Sequence, residues 1–437
     1  METITALATP AGNSGVAIIR ISGENSLDAL KQITRSNTEF EPRKMYLKTV
    51  YAQDIEDKCL VVFFKSPFSY TGEDVVEIQS HGGYFLAQKI IEQILKFGVR
   101  LADRGEFSKR AFINGKISLD QAEGIIDLIN AESTMQAKSA SNLLFGKLKD
   151  KLSNIQNDLT DILADIEAKL DYPEYDYTEQ ESNSTRTKLK DIEKELDSLL
   201  SSSKQGLVVK NGIKVAIVGA PNVGKSSLLN ALTMSDKAIV TSIAGTTRDV
   251  VEAEYEYNGI IFRLFDTAGI HESKDVVEQI GIERAKQILN DCDLVLKISS
   301  PDNVCDIETQ KLSISVFNKS DIDSPIKDDQ KNNSFDIFVS AKNNTNIEQL
   351  KQLIFSKTVQ TDINSNQLFL TNTRHIECVR LAKISIENAL KLVEDNQTFD
   401  IISSEIKSAW NKLGEITGVV NDEAILDRIF SKFCLGK

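Results

Sequence analysis

The segment Gly219-Ala-Pro-Asn-Val-Gly-Lys-Ser226 constrains the fold of this chain more than any other part of the sequence. It follows an apolar run at residues 215–218 and precedes a second apolar segment at residues 228–232. An apolar strand, a glycine-rich loop and a helix in this order predict a phosphate-binding loop, in which backbone N–H groups surround the phosphates. We expect Lys225 to reach the β- and γ-phosphates and the Ser226 hydroxyl to ligate Mg²⁺.

Three further polar loops follow apolar, strand-like runs later in the chain. They are Asp266-Thr-Ala-Gly269, Asn318-Lys-Ser-Asp321 and Ser340-Ala-Lys342. Four loops in this order, each at the end of a strand, predict a P-loop GTPase domain of α/β architecture. A carboxylate at Asp321 can accept hydrogen bonds from N1–H and the 2-amino group of guanine. Adenine lacks this pair of donors, so the loop predicts specificity for guanine.

Composition limits the class of protein. The 437 residues are 41% hydrophobic and 26% charged, which predicts two or three soluble domains. No apolar run reaches 18 residues and no signal segment opens the chain, so we expect a cytoplasmic location without a membrane anchor. Five scattered cysteines without a Cys-x-x-Cys pair fit a reducing compartment and argue against a zinc site. A net charge of −13 argues against a protein that coats nucleic acid along its length, although residues 100–116 form a small basic patch.

The hydrophobic pattern changes along the chain and divides it into four segments. Residues 1–118 read as α+β, with strands near residues 16–21, 60–64 and 75–78 and a helix at residues 84–97. Residues 119–210 read as helical, with an apolar stripe at three- and four-residue steps, and residues 201–206 as a linker. Residues 211–358 hold the predicted GTPase domain, and residues 359–437 are helical again. We expect the two helical segments to pack together, with the GTPase domain inserted between them.

The predicted GTPase domain lacks one familiar catalytic side chain. Ras-like enzymes orient the attacking water with a glutamine directly after Asp-x-x-Gly, whereas this chain has Ile270 there. Asn222 and the hydroxyl-rich segment Thr241-Ser-Ile-Ala-Gly-Thr-Thr247 predict a bound K⁺. This ion would supply the positive charge that an arginine supplies to the phosphates in other GTPases. Glu278 is a candidate for orienting the water. The alternatives are that Asn222 only stabilises its loop and that Glu278 is a solvated helix residue.

Several segments outside these loops carry a resemblance to a known family. They are Ala8-Thr-Pro10, Gly15-Val-Ala-Ile-Ile-Arg-Ile-Ser-Gly23, Thr71-Gly-Glu-Asp-Val-Val-Glu77, His81-Gly-Gly83, the stretch from Arg104 to Lys116, Gly245-Thr-Thr-Arg-Asp249 and the terminal Phe433-Cys-Leu-Gly-Lys437. With these motifs the chain resembles the MnmE (TrmE) family of tRNA-modification GTPases along essentially its whole length.

The resemblance implies a multidomain α+β and α/β fold. It consists of an N-terminal α+β folate-binding and dimerisation domain, a helical domain split in sequence, and an inserted P-loop GTPase domain. Members act as homodimers with the flavoprotein MnmG (GidA), in a heterotetramer. Together they modify C5 of the wobble uridine of certain tRNAs with an aminomethyl or carboxymethylaminomethyl group. The resemblance implies that K⁺-dependent GTP hydrolysis and a one-carbon unit on tetrahydrofolate, in the 5-formyl or methylene form, serve this reaction.

The resemblance also implies site residues, position by position. Arg20, Glu77, Lys116 and Lys437 would contact the folate. Asn222, Thr241, Ile243 and Thr246 would bind K⁺, Ser226 and Thr247 would bind Mg²⁺, and Glu278 would orient the water. The residues predicted to contact GTP are Asn222, Val223, Gly224, Lys225, Ser226, Ser227, Thr241, Ser242, Ile243, Ala244, Gly245, Thr246, Thr247, Asp266, Thr267, Ala268, Gly269, Asn318, Lys319, Asp321, Ser340, Ala341 and Lys342.

Cys434, in the terminal motif, has two interpretations. It resembles the cysteine that is proposed to act in the modification chemistry, and a thiolate is a good nucleophile. The alternative is a small apolar side chain that anchors the C-terminus beside Phe433. The function also has an alternative, a regulatory or ribosome-assembly GTPase without modification chemistry. The terminal Phe-Cys-Leu-Gly-Lys and the folate-type N-terminal segment favour the modifying enzyme, because an assembly factor needs neither.

Overall fold

The structure, a computed structural model, describes residues 1–171, 179–234, 253–266, 287–322, 335–359, 368–420, 423–434 and 436. The chain forms two compact units, each assembled from separate stretches of sequence. The first contains Met1–Ile129, Asn142–Ile192 and Ile384–Lys437, and the second contains Asn130–Ser141 and Glu193–Lys383. Within the described part of the chain, no helix combines the length and the apolar character needed to cross a membrane.

A six-stranded sheet forms the N-terminal part of the first unit. Its strands are β1 (Ile4–Leu7), β2 (Val16–Ser22), β3 (Met45–Ala52), β4 (Ile55–Phe64), β5 (Val75–His81) and β6 (Arg100–Leu101). They lie in the order β3-β4-β5-β2-β1-β6, and all pairs are antiparallel except β1 with β6. Alternate residues of β2, β4 and β5 form one apolar core with α1 (Ser26–Thr34) and α2 (Tyr84–Leu95). The remaining side chains of each strand therefore point to the opposite face of the sheet.

The predicted strands at residues 16–21, 60–64 and 75–78 and the helix at residues 84–97 are confirmed. Three strands of this sheet escaped prediction, and one of them, β6, has only two residues. β1 is short, at Ile4–Leu7, and β3, at Met45–Ala52, mixes polar and exposed apolar residues because it is an edge strand. An edge strand has neither a continuous apolar run nor a clean alternation, so it carries a weak sequence signal.

Helices form the rest of the first unit and part of the second. They are α3 (Glu106–Ile113), α4 (Leu119–Ile129), α5 (Thr134–Leu144), α6 (Lys147–Asp171), α7 (Glu179–Ser201), α8 (Ser203–Asn211), α9 (Lys225–Met234), α10 (Ile347–Thr358), α11 (Thr373–Glu394), α12 (Phe399–Thr417) and α13 (Glu423–Phe430). The apolar stripe predicted from Leu148 to Ile166 is confirmed, since these residues are buried along α6. Gln156 on α6 donates to the carbonyl of Trp410 on α12 at 3.0 Å.

A second six-stranded sheet forms the centre of the second unit. Its strands are β7 (Ile213–Val218), β8 (Ala253–Tyr257), β9 (Ile260–Asp266), β10 (Leu294–Ser299), β11 (Ser313–Phe317) and β12 (Ile337–Phe338). The order is β12-β11-β10-β7-β9-β8, with every pair parallel except β8 with β9. This arrangement confirms the α/β class predicted for the GTPase domain, and it brings the carboxyl ends of β7, β9, β11 and β12 to one edge of the sheet.

The predicted linker at residues 201–206 is wrong, because this segment is helical. Ser201 ends α7 and α8 begins at Ser203, with the Ser202 hydroxyl donating to the carbonyl of Leu199 at 2.6 Å. A Cβ at Gly206 would lie 2.2 Å from the carbonyl oxygen of Leu370. The serines and the glycine that resembled a linker therefore serve a helix junction and a close backbone contact.

Candidate functional site

The loop between β7 and α9 has the backbone form of a phosphate-binding loop. Gly224 has a φ of +91°, and a Cβ there would lie 2.4 Å from the side-chain nitrogen of Asn318. Val223 is fully buried and fixes the loop to the core. The Lys225 amine donates to the carbonyl oxygens of Gly219 at 2.7 Å and Ala220 at 3.3 Å. These contacts hold the amine over the loop, where phosphate oxygens can replace the carbonyls as its acceptors.

Asn318 connects the phosphate-binding loop to the base-binding loops. Its buried amide nitrogen donates to the carbonyl of Val223 at 2.9 Å, and its amide oxygen accepts from the backbone N–H of Ala341 at 3.1 Å. One side chain therefore joins three loops that lie far apart in sequence. Sequence analysis predicted Asn318 as a nucleotide contact, and the structure adds this bracing role.

Asp321 lies exposed at the same edge of the sheet, beside Ser340. The Ser340 hydroxyl donates to Asp321 Oδ1 at 2.6 Å. This hydrogen bond lowers the pKa of the Asp321 carboxyl, and its own backbone N–H and the charges of Lys342 and Lys319 act in the same direction. The carboxylate is thus oriented and ionised, as an acceptor for two guanine donors must be.

The predicted cation ligands are only partly described. Asn222, in the phosphate-binding loop, has a φ of +66°, and Ser226 is the second residue of α9. Both residues are exposed, on either side of Lys225. An amide oxygen and a hydroxyl at this position fit the oxygen ligands that K⁺ and Mg²⁺ require. Among the other predicted GTP contacts, Ser227 is exposed on α9 and Asp266 ends β9.

Some predicted site residues lie outside the described part of the chain. They are Thr241, Ser242, Ile243, Ala244, Gly245, Thr246, Thr247, Thr267, Ala268, Gly269, Glu278 and Lys437. Their roles remain predictions. The described residues alone hold the phosphate-binding loop and both base-binding loops.

Two of the predicted folate ligands pair with each other on the N-terminal sheet. Arg20 on β2 stands opposite Glu77 on β5, and its Nε donates to Glu77 Oε1 at 2.9 Å. The guanidinium also lies 5.3 Å from the ring centre of Tyr70 and 5.7 Å from that of Phe107. Both charged side chains remain about one-fifth exposed, at 19% and 18%. A partly open ion pair beside aromatic rings can accept a ligand that carries both hydrogen-bond donors and carboxylates.

The C-terminal tail lies against the same sheet. A Cβ at Gly436 would be 2.0 Å from the carbonyl oxygen of Leu7, which ends β1 beside β2. Phe433 is buried against Phe430, with ring centres 5.5 Å apart, whereas Cys434 is exposed. The anchor of the tail is therefore Phe433, and the interpretation of Cys434 as an apolar anchor is wrong.

Lys116, the third predicted folate ligand, lies at the loop between β4 and β5. Its amine donates to the carbonyl of Pro67 at 2.8 Å, and its stem lies beside Gly72. Gly72 adjoins Thr71, whose hydroxyl shares a 2.7 Å hydrogen bond with Ser22 on β2. Lys116 and Arg20 therefore approach the same loop from different elements.

The basic patch predicted at residues 100–116 is largely neutralised within the fold. Arg110, with a side chain only 4% exposed, pairs with Glu73 at 3.0 Å and with Glu106 at 2.8 Å. Arg100 also binds Glu106, at 2.7 Å. Burial acts to raise the pKa of Glu106, but the hydrogen bonds from Arg100, the backbone of Asp103 and Arg110 lower it to about 2. Sequence analysis missed this network because Glu73 lies in another motif, far along the chain from Arg110.

Comparisons with known proteins agree with this geometry. A family model described as the MnmE helical domain matches residues 119–434, and one described as the GTP-binding protein TrmE N-terminus matches residues 3–116. The tRNA modification GTPase MnmE of Clostridioides difficile (strain 630) is 39% identical over 456 residues, covering 100% of this chain and 99% of that protein. The protein of the same name from Natranaerobius thermophilus is 37% identical over 458 residues, with 100% and 99% covered.

Among solved structures, the FeoB G-domain of Methanococcus jannaschii is 28% identical, with a TM-score of 0.26, and covers 33% of this chain and 97% of its own. The family models and the full-length relatives determine the assignment. The chain is a GTP hydrolase and belongs to the MnmE (TrmE) family of tRNA modification GTPases.

Proposed function

We propose that this chain is a K⁺-dependent GTPase that modifies C5 of the wobble uridine of certain tRNAs together with the flavoprotein MnmG (GidA). The product is an aminomethyl or carboxymethylaminomethyl group built from a one-carbon unit on tetrahydrofolate. The observation that carries the proposal is the coexistence of two built sites in one chain. The loops around Asn318 suit GTP, and the Arg20–Glu77 pair beside the C-terminal tail suits folate.

In the nucleotide site, the chain's own groups bind and orient GTP. Lys225 neutralises the phosphates, Asp321 selects guanine, and Asn318 keeps the two loops in register. Mg²⁺ would be held by Ser226 and Thr247, and K⁺ by Asn222, Thr241, Ile243 and Thr246. A K⁺ in that place would supply positive charge to the developing phosphate charge, which other GTPases obtain from arginine. Glu278 would orient the attacking water.

In the N-terminal site, charge and aromatic surface recognise the carrier. Glu77 accepts hydrogen bonds from pterin N–H groups, while Arg20, Lys116 and Lys437 attract its carboxylates. The bound folate supplies the one-carbon unit, in the methylene or 5-formyl form. Cys434 lies exposed on a tail whose neighbour Gly436 contacts β1, close to β2 and Arg20. This position supports a role for its thiol in the modification step.

The proposed organisation follows the four predicted segments. Residues 1–118 form the folate-binding and dimerisation domain, residues 119–210 and 359–437 the split helical domain, and residues 211–358 the GTPase domain. The active assembly is a cytoplasmic heterotetramer of two copies of this chain and two of the flavoprotein, with tRNA as the substrate.

Reconstitution from purified components tests the proposal. The complete mixture holds the chain, the flavoprotein, unmodified tRNA, methylene-tetrahydrofolate, ammonium, GTP, Mg²⁺ and K⁺, and nucleoside analysis measures wobble-uridine modification. Replacing K⁺ by Na⁺ at equal ionic strength should slow GTP hydrolysis by about 10²–10³, as expected for one lost charge-stabilising group. Equal GTPase rates in both salts would refute the K⁺ role. Modification without folate would refute the carrier role.

The same mixture separates the two chemistries. Cys434→Ser should keep K⁺-stimulated GTP hydrolysis and partner binding but lose modification, because a hydroxyl is a far weaker nucleophile than a thiolate. Normal modification by this variant would remove Cys434 from the chemistry and leave the GTPase assignment intact.

A further inference from the structure

The loop between β4 and β5 presents an aromatic ring to solvent from a firmly anchored backbone. Phe68 is 67% exposed. Its backbone N–H donates to the carbonyl of Lys65 at 2.9 Å. Ser66 donates to Asp74 Oδ1 at 2.8 Å through its N–H and to the carbonyl of Gly72 at 2.9 Å through its hydroxyl. Hydrogen bonds therefore fix the backbone that carries the exposed ring.

Three cations lie on or beside the loop that carries this ring. Arg43 donates to the carbonyl of Phe68 at 3.3 Å, and its guanidinium carbon lies 5.6 Å from the ring centre. Lys116 donates to the neighbouring carbonyl of Pro67 at 2.8 Å. Lys65 is exposed and has no ion pair among the residues that the structure describes. Each cation keeps N–H groups that a further acceptor can use.

Nearby carboxylates cancel only part of these charges. Glu41 pairs with Lys44 at 2.7 Å and Glu73 pairs with the buried Arg110, while Asp74 accepts the neutral N–H of Ser66 and offsets one of the three cations. The result is a local excess of positive charge around an exposed aromatic ring, in a chain whose net charge is −13. Single-stranded nucleic acids are bound by this combination, in which a base stacks on the ring and the phosphates meet the cations.

We propose that Phe68, Arg43, Lys65 and Lys116 form a stacking site for an unpaired nucleotide of the tRNA anticodon loop. This inference rests on the proposed function and adds the place where the RNA binds. We call these four residues the Phe68 site. Phe68 and Lys65 lie in the same loop as Tyr70. The Tyr70 ring lies 5.3 Å from the Arg20 guanidinium. A nucleotide stacked on Phe68 is thus held beside the residues proposed to bind the one-carbon carrier, where the wobble base has to react.

A protein partner is the main competing occupant of an exposed phenylalanine. The charges favour RNA, because three cations at one loop match a phosphate backbone, whereas an apolar protein contact would have to desolvate them. The folate carboxylates are a second competitor for Lys116. The experiment therefore measures RNA, flavoprotein and folate binding on the same variants.

The test uses the full-length chain and a labelled synthetic anticodon stem-loop with uridine at the wobble position. Phe68→Ala should weaken binding by about 5- to 150-fold, the range for loss of one base–aromatic stack. Phe68→Trp should retain or strengthen it. Lys65→Gln should lower the slope of log affinity against log salt by about 0.7, as expected for one lost phosphate contact to a single strand. Phe85→Ala is the matched control, since Phe85 is 65% exposed with the Lys89 amine 5.6 Å from its ring. It should bind RNA as the wild type does.

A second RNA sharpens the result. Removing only the wobble base should weaken wild-type binding as much as Phe68→Ala does, and the two changes together should cost little more than either alone. Unchanged RNA binding by Phe68→Ala, or weaker binding of folate, flavoprotein or a second copy of the chain with RNA binding intact, would overturn the inference. If the wild type modifies tRNA normally in the same preparations, such a failure leaves the proposed function standing.

Discussion

The nucleotide site and the N-terminal site differ in how they are built. The nucleotide site uses short contiguous loops at one edge of a parallel sheet, joined by a few side chains such as Asn318. The N-terminal site uses side chains from separate strands and loops, and its charged groups pair with one another, as Arg20 does with Glu77. In the first site the Lys225 amine exchanges backbone carbonyls for phosphate oxygens, whereas in the second an ion pair must exchange its charged partners for ligand contacts.

This difference has an energetic consequence. In the nucleotide loops, Asn222, Ser226 and Asp321 are exposed, so replacing them removes ligand contacts without leaving a buried charge unpaired. In the N-terminal region, Arg110 is buried and pairs with Glu73 and Glu106, which are themselves mostly shielded from solvent. Changes there should therefore affect stability first, while changes in the loops should affect ligand binding first.

The largest effect is expected from Arg110→Met. Removing this buried guanidinium leaves Glu73 without its ion pair and Glu106 with Arg100 alone, and it should lower the free energy of unfolding by about 3–5 kcal/mol. Lys109→Met is the matched control, because Lys109 is 38% exposed and pairs with Asp427 at the surface. Its cost should stay within about 1 kcal/mol. Denaturant unfolding measures both, and equal stability losses would contradict the contrast between buried and exposed pairs.

Asp321→Asn should change the base preference of the nucleotide site. The new amide donates where the carboxylate accepted, so GTP affinity should fall by about 100-fold or more while xanthosine triphosphate gains. Ser340→Ala removes only the hydroxyl that orients the carboxylate and should give a smaller loss with no switch. Nucleotide titration measures these affinities. Wild-type GTP affinity in Asp321→Asn would show that Asp321 does not bind the base.

Asn318→Ala tests the bracing between loops. It leaves the carbonyl of Val223 and the N–H of Ala341 without their present partner, at a cost of about 1–3 kcal/mol, and GTP affinity should fall with it. Asn343→Ala is the control, since Asn343 is exposed and its described hydrogen bond uses the backbone N–H. If the two variants have the same free energy of unfolding and the same GTP affinity, Asn318 does not brace the loops.

The smallest effect concerns acid stability. The pKa of Glu106 is lowered from 4.5 to about 2, so its ionised form stabilises the fold at pH values above about 4.5. That contribution is lost as the pH falls from about 4.5 towards 2. Glu106→Gln should lower stability at neutral pH and flatten this part of the acid profile. Asp103→Asn, at a 90% exposed side chain, should leave the profile unchanged, and an identical profile for Glu106→Gln would contradict the assignment.

Sequence reasoning succeeded where function resides in contiguous residues. The phosphate-binding loop and Asp321 could be predicted because a glycine-rich turn after a strand has few other uses. Sequence reasoning failed where contacts join residues that lie far apart in the sequence, because the spacing between such residues follows no pattern. The pairing of Arg20 with Glu77 depends on strand register, and the burial of Arg110 depends on a carboxylate 37 residues away. Residues 100–116 therefore appeared more basic than they are, since Arg100, Lys109 and Arg110 are paired. Residues 201–206 were wrongly predicted to be a linker, because serines and a glycine at a helix junction have the composition of a linker.

The most direct test of the whole account is nucleoside analysis of tRNA from a strain that lacks this chain. The account predicts that wobble-uridine modification disappears on deletion and returns with the wild-type chain. It should not return with Lys225→Ala, which lacks the phosphate-binding amine, or with Cys434→Ser. Normal wobble-uridine modification in the deletion strain would contradict the central claim that this GTPase serves tRNA modification.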